Sequence, residues 1–254
     1  MSSVRLADLV AWLDETLAAS SFRDYGPNGL QVVGADQVLH LCTAVSVSLD
    51  VIRRAGAHGA QALLVHHGLF WEGANPSIGP LERRRLATLF DHDLSLIAYH
   101  LPLDAHPTLG NNIQLAALLE LTAVVPFGLH RDMAIGCAGI LPNAVSADQL
   151  GRTLGTLLGS QPLVLLGGDH HIRSVGIVSG GAASDIRQAA AAGLDAFITG
   201  EPSEEARYLA EELEVHFIAA GHNATETVGV RALGKAAATR FGIQTTFLGV
   251  DNPV

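Results

Sequence analysis

Gly59-Ala-Gln-Ala-Leu-Leu-Val-His-His67 and Gly193-Leu-Asp-Ala-Phe-Ile-Thr-Gly-Glu201 are the two stretches whose reading decides the fold. Each opens on a glycine suited to end a helix, continues as a short apolar run, and stops on residues able to do chemistry. A run of that length without polar alternation reads as a strand covered on both faces, as in parallel sheets. A second pair supports the match: Leu96-Ile-Ala-Tyr-His100 parallels Phe217-Ile-Ala-Ala-Gly-His222. The repetition predicts two related α/β lobes, each a mostly parallel mixed sheet with helices.

Working outward, strands alternate with helical patterns along most of the chain. Residues 3–19 read as an amphipathic helix with Ser3 as its N-cap and Leu6, Leu9, Val10, Leu13 and Leu17 as its apolar stripe. A turn at Tyr25 leads into a short strand ending at Val33. Strands follow at Leu39–Ser48, Ala62–Val65 and Leu94–Tyr99. Helices are expected at Asp50–Gly56, Pro80–His92 and Gly110–Leu119, the last capped by its Asn pair. In the second half, strands are read at Met133–Leu141, Pro162–Leu166, Ile172–Ser179, Ala196–Thr199, Val215–Ala220 and Thr245–Leu248. Helices separate them at Ser146–Gly159, Ser184–Ala192, Glu204–Leu213 and Thr225–Arg240. The lobes divide as 1–125 and 126–254, with no low-complexity linker, so they are expected to pack together.

The 254 residues carry 48% apolar and 16% charged side chains, which excludes disorder as the main state. Net charge is 15 − 25 = −10 with a single lysine, Lys235, so a general nucleic-acid grip is not expected. Arg83-Arg84-Arg85 reads as a solvated helix face or a subunit contact. Cys42 and Cys137 lie in apolar runs and read as small buried hydrophobes, consistent with a reducing compartment. No CxxC pair suggests a thiolate zinc site. Asp8 and Asp14 interrupt any signal-peptide core, and no uncharged run is long enough for a membrane span. A cytoplasmic protein is expected.

Ligands of parallel α/β sheets gather beyond the carboxyl ends of the strands. Three such ends carry His66-His67, His100 with Asp104, and His222 with Glu226. His222 and Glu226 stand four apart, on one face if a helix starts at His222. Asp104 is expected on a loop held by Pro102 and Pro107. Neighbouring strand residues point to opposite sides, so His66 and His67 grip a shared site only by splaying at the strand end. Three imidazoles and two carboxylates suit a pair of cations that retain open positions, a catalytic type of site. Two cations about 3.5–4 Å apart can activate a shared water and polarise a substrate oxygen. His170-His171 precedes a strand and reads as a surface turn, and Ser179-Gly-Gly-Ala182 as a simple tight turn. His106, Glu201 and the Tyr25–Gln31 loop are secondary candidates beside the site. There is no GxxxxGK[ST] or GxGxxG, which rejects a P-loop or Rossmann cofactor site.

Asn28-Gly-Leu-Gln31, His66-His-Gly68, Tyr99-His-Leu-Pro-Leu-Asp104, Gly110-Asn-Asn112 and Ala220-Gly-His222 with Glu226 run in order over nearly the whole chain. In these motifs the sequence resembles the dinuclear-metal-centre hexameric proteins, often labelled GTP cyclohydrolase I type 2 and related to eukaryotic NGG-one-interacting factor three. The resemblance implies His66, His67, Asp104, His222 and Glu226 as ligands of two divalent metals (Zn, Fe, Mn or Ni). It also implies two α/β lobes with the metal site between them, and a homohexameric ring. The implied activity is metal-dependent hydrolysis of a nucleotide or related small molecule; His100, placed beside these ligands, is read as the residue that handles protons. The cyclohydrolase label implies water addition at purine C8, ring opening and release of formate. Two other readings stand beside it: a phosphoester or amide hydrolase, and a metal-binding scaffold or regulator without fast turnover.

Overall fold

The computed structural model describes residues 2–254. The chain forms two compact units, one running up to Leu103 and resuming at Gly229–Asp251, the other made of Asp104–Val228 and Asn252–Val254. The sequence reading has a single boundary after residue 125. The difference arises because the last strand, Gln244–Phe247, pairs in parallel with His40–Ser46 and so belongs to the first sheet.

The first stretch of chain carries β1 (Val4–Arg5), α1 (Leu6–Thr16), β2 (Gly29–Val32), β3 (Gln37–Val38), β4 (His40–Ser46), α2 (Leu49–Ala57), β5 (Ala62–His67), α3 (Pro80–Asp91), β6 (Ser95–Ala98) and α4 (Leu101–Ala105). There follow α5 (Asn111–Leu118), β7 (Thr122–His130), β8 (Met133–Val145), α6 (Ala147–Leu158), β9 (Leu163–Leu165), β10 (Ile172–Ile177), α7 (Ile186–Ala191), β11 (Ala196–Thr199), α8 (Ala206–Leu213), β12 (His216–Ala219), α9 (His222–Phe241) and β13 (Gln244–Phe247).

The sheet of the first unit has the order β13-β4-β5-β6-β2, and that of the second β7-β8-β10-β11-β12-β9. In the first, β13, β4, β5 and β6 are parallel, with β2 antiparallel at the edge. In the second, β10, β11 and β12 are parallel, flanked by antiparallel β8 and β9. The chain is thus a mixed α/β protein, as its sequence pattern predicts. Cys42, Ala44, Leu63, Val65, Leu96 and Ala98, at alternate strand positions, pack with Val51, Ile52, Ala55 and Leu89 of α2 and α3 in one core. Ile172, Val175, Ile177, Ala196, Ile198 and Ile218 do the same with Leu115 of α5 and Leu150 and Leu154 of α6 in the other. Both cysteines are buried, and burial pushes the Cys42 thiol to about 11 and the Cys137 thiol to about 12.

The internal repeat extends to individual hydrogen bonds. Gly59 (φ +66°) and Gly193 (φ +67°) both turn the chain in the left-handed region before β5 and β11. Gln61 N donates to His40 O (3.1 Å) and Asp195 N to Ser174 O (3.2 Å). Gln61 Oε1 accepts from the amides of Leu39 and His40 (3.0 Å each), while Asp195 Oδ2 accepts from those of Arg173 and Ser174 (2.8 and 2.7 Å). At the other end, Tyr99 N donates to Val65 O (3.1 Å) and Ala220 N to Thr199 O (2.8 Å).

Several local expectations need correction. The first helix starts at Leu6, not Ser3, because Val4 and Arg5 pair with Val38 and Gln37; the Ser3 hydroxyl donates to Gln37 Oε1 and caps nothing. The Asn pair does not cap α5, whose N-cap is Gly110. Asp104 lies in the short helix α4 and not on a loop. Pro102 fits there because the first turn of a helix does not need its amide. The strand β7 has no counterpart in the sequence reading: Pro126 breaks its pattern, which is tolerated because β7 is an edge strand.

Asp195 also accepts from the Ser174 hydroxyl at 2.9 Å. Burial pushes its carboxyl up, but the hydrogen bonds from Ser174 and Arg173 and the nearby His170 outweigh this and hold it below the usual range. Asp195→Ala should destabilise the protein by roughly 1–3 kcal/mol in denaturant unfolding at neutral pH. A depressed carboxyl stabilises above its unfolded value of about 4 and loses that effect as pH falls through the folded value, so the gap between variant and parent should close in acid.

Candidate metal centre

In the first unit the strand β5 runs through both histidines of its closing pair. His66 is fully buried, and its Nδ1 donates to Tyr99 O at 2.9 Å. That bond places a proton on Nδ1 and leaves Nε2 as the ring's other nitrogen. His67 Nδ1 lies 2.9 Å from Ser46 Oγ on the adjacent strand β4. The two rings are 4.6 Å apart, and the His100 ring lies 5.0 Å from His66 and 5.6 Å from His67. One nitrogen from each of the three lies within 4.8 Å of the others, close enough to hold a metal ion.

His100 is positioned by a residue the sequence reading missed. Asp24 Oδ1 sits 2.7 Å from His100 Nδ1, and its Oδ2 accepts from Leu101 N and Asn28 Nδ2, 2.9 Å each. Asn28 in turn accepts from His100 N at 2.8 Å. Burial raises the Asp24 carboxyl, yet His100, Asn28 and the Tyr25 amide together bring it below the ordinary value. An ionised Asp24 keeps a proton on His100 Nδ1 and turns Nε2 outward, the arrangement by which carboxylates commonly orient working imidazoles.

In the second unit Asp104 Oδ1 accepts from Asn111 Nδ2 (2.8 Å) and Ser179 Oγ (3.1 Å), so one oxygen fixes the carboxylate's orientation. Asn112, 1% exposed, ties this arrangement together: Nδ2 donates to Ile135 O (2.7 Å) and Asp104 O (3.3 Å), and Oδ1 accepts from Ser179 N (2.7 Å). Oxygens of Asp104 and Glu226 lie within 4.8 Å of each other. The helix α9 begins at His222, as the four-residue spacing requires, and places His222 Nε2 3.2 Å from Glu226 Oε1. His222 Nδ1 hydrogen-bonds Glu201 Oε1. Burial opposes a charge on His222, but Glu226 and Glu201 overcome it and raise its pKa to about 9. The pocket therefore favours a positive charge beside these carboxylates. Gly180 (φ +69°) lets the backbone pass against this group, since a Cβ there would land on Glu226 Oε1.

A sequence profile of Duf34/NIF3 (NGG1p interacting factor 3) matches residues 4–253. The chain belongs to this family. It is 42% identical to the GTP cyclohydrolase 1 type 2 homolog of Pseudomonas aeruginosa, over 99% of each chain. It is 43% identical to the protein of the same name from Vibrio cholerae, over 97% of this chain and 98% of that one. Its structure matches that of protein ybgI, described as of unknown function, with TM-score 0.94 and 40% identity over 99% of this chain and 100% of that one. TTHA1606 from Thermus thermophilus matches with TM-score 0.91 and 36% identity over 99% and 100% of the two chains.

Within this Duf34/NIF3 fold, the secondary candidates sort by geometry. Glu201 orients His222. Ser179-Gly-Gly is more than the tight turn expected, since Ser179 holds Asp104 and Gly180 packs on Glu226. His106 Nδ1 accepts from Thr108 N and Leu109 N (3.2 and 3.0 Å), which caps a turn. His170 packs its ring 4.3 Å from His216 at the start of the second unit's strands, as its place before a strand suggested. No helix among the described residues is long and apolar enough to cross a membrane.

A second missed pair lies in this unit: His130 Nε2 stands 3.0 Å from buried Asp185 Oδ2, and Gln188 Nε2 holds Asp185 Oδ1 at 3.1 Å. The hydrogen bond to Asp185 raises the His130 pKa, against burial, with the charges of Asp185 and Asp104 adding to it. Asp185→Asn should bring the NMR titration of His130 down toward about 6.5. The pair stabilises below that value and loses its effect as pH rises through the folded one. Asn112→Ala should cost roughly 2–4 kcal/mol in chemical denaturation, because it strands buried backbone groups on three segments.

Proposed function

We propose that His66, His67, Asp104, His222 and Glu226 together bind two divalent cations, drawn from Zn, Fe, Mn or Ni, and that the protein is a hydrolase of a nucleotide or related small molecule. The observation that carries this reading is the paired anchoring of the ligand atoms. Each imidazole has one nitrogen tied to Tyr99 O, Ser46 Oγ or Glu201, and Asp104 is oriented by Asn111 and Ser179. Such outer partners are what metal-binding histidines and carboxylates require, and a surface cluster of charges lacks them. Imidazole and carboxylate suit the named metals, and the donor number leaves positions open for a reactant.

Two bound cations would supply Lewis-acid activation of water and of a substrate oxygen. The chain's own part is to bind, exclude water and move protons. Burial of His66, Asp104 and Glu226 keeps bulk water from their ligand atoms. His100, its Nδ1 held by Asp24, presents Nε2 to accept a proton from the attacking water and return it to the leaving atom. The relatives' name, GTP cyclohydrolase 1 type 2 homolog, favours attack at purine C8: one water would add there and open the ring to a formamide, and a second would hydrolyse that formamide and release the carbon as formate. The protein is further proposed to work as a cytoplasmic homohexamer.

Metal analysis after purification should find two equivalents in the parent protein and a loss of at least one in Glu226→Gln and in Asp104→Asn. His170→Ala should retain both. Full retention in both carboxylate variants would refute the ligand assignment. Formate or phosphate release from a nucleotide panel should vanish on chelation, return on metal addition, and fall roughly 10–100-fold in His100→Ala. Absence of any metal-dependent release, with two metals bound, would favour a scaffold or regulator.

A further inference from the structure

Three large aromatic side chains stand exposed beside the imidazole cluster of the first unit: Tyr25 (37%), Phe70 (45%) and Trp71 (36%). The Trp71 ring lies 5.2 Å from that of His100, nearly perpendicular at 84°, and 5.8 Å from that of His67. The Tyr25 ring lies 6.2 Å from that of His100. From the geometry we infer that Trp71, flanked by Tyr25 and Phe70, is the platform on which the planar heteroaromatic ring of the substrate stacks. The inference deepens the reading of the site as a metal-dependent hydrolase and rests on it.

The shelf is rigid. Glu72 N donates to Tyr25 O at 2.6 Å, and Tyr25 N donates to Asp24 Oδ1 at 2.6 Å, the same carboxylate that holds His100. Gln31 joins the two segments from the other side: its Oε1 accepts from Leu69 N (2.8 Å) and its Nε2 donates to Pro27 O (2.9 Å). A stacking surface fixed in advance loses little entropy when a ring settles on it. The crevice beneath, lined by Asn28, Gln31, His66, Phe70, Trp71 and His100, holds only about 10 Å³. No ring can insert there, so the exposed faces of the aromatics are the available ones. Scattered exposed apolar residues are ordinary, but Trp71 packed on His100 and His67, with Tyr25 on His100 and Phe70 lining the same crevice, is a recognition surface. Offset or edge-on packing on Trp selects planar π systems over sugars and phosphates. Trp71 thus sets ring selectivity, while His66, His67 and His100 face the reacting part of the same molecule.

The chain has two tryptophans, and Trp12 packs edge-on against Phe241 at 5.6 Å, so Trp12→Phe leaves Trp71 as the sole reporter. Metal-loaded full-length Trp12→Phe protein is titrated with guanosine 5′-monophosphate, 6-hydroxymethylpterin and ribose 5-phosphate. Saturable quenching by at least one planar probe and none by ribose 5-phosphate is expected. By calorimetry, Trp71→Ala should weaken the planar probe roughly 5–100-fold, with metal content and oligomeric mass unchanged. Tyr25→Ala should weaken it less. Equal response to ribose 5-phosphate, no saturable quenching by either ring, or unchanged affinity in Trp71→Ala would overturn the proposal. A change of oligomeric mass in Trp71→Ala would overturn it too, by making the shelf a contact with a second copy of the chain. Metal content is measured separately on the same samples, so a missing second cation refutes the dinuclear reading without altering what the quenching reports.

Discussion

In each unit three consecutive strands run in parallel, and parallel pairing brings their carboxyl ends to the same edge of the sheet. Residues far apart in sequence therefore become neighbours without any loop having to deliver them. His66 and His67 end β5, and His100 follows β6. Glu201 follows β11, and His222 follows β12. Other residues elaborate each edge: in the first unit β4 supplies Ser46, and in the second the turn after β10 supplies Ser179 and the second turn of α9 supplies Glu226. Ladder hydrogen bonds between buried strands set the register, so the spacing of the side chains inherits the rigidity of the backbone.

Much of this is legible in the sequence, for a physical reason. Buried parallel strands are short apolar runs, and a polar residue at the end of one is conspicuous; that is how His66, His67, His100 and His222 stand out. The spacing of His222 and Glu226 carries its own geometry, and α9 starts where that spacing needs it. The supporting residues are not legible. Asp24, Ser179 and Asp185 resemble ordinary turn residues, and nothing in their neighbours says that their partners lie 76, 75 and 55 positions away, as His100, Asp104 and His130 do. The Asn pair misleads because Asn near a helix start is usually a cap, whereas here both side chains are buried and bond Asp104. The strand β7 is obscured by Pro126, and the short pairing of Val4 with Val38 depends on a segment distant in sequence.

The two halves share a scaffold and differ in chemistry. Gln61 and Asp195 occupy matching positions and make matching bonds to the strand before them, one as a neutral amide, the other as a carboxylate. At the opposite end of the same strands the residues differ, with His66-His67 answered by Gly200-Glu201. At that end one half is rich in imidazole nitrogen, while the other carries a carboxylate.

That polarity along the strand gives the architecture a division of labour. The pins that set how the lobe folds lie at the amino ends, and the imidazole and carboxylate groups able to hold an ion lie at the carboxyl ends, separated by the length of a buried strand. Drift at one end need not disturb the other. Such a lobe can change its reactivity while its folding instructions stay the same: Glu201 stands where the sister strand has His67, yet Gln61 and Asp195 keep matching bonds at the other end.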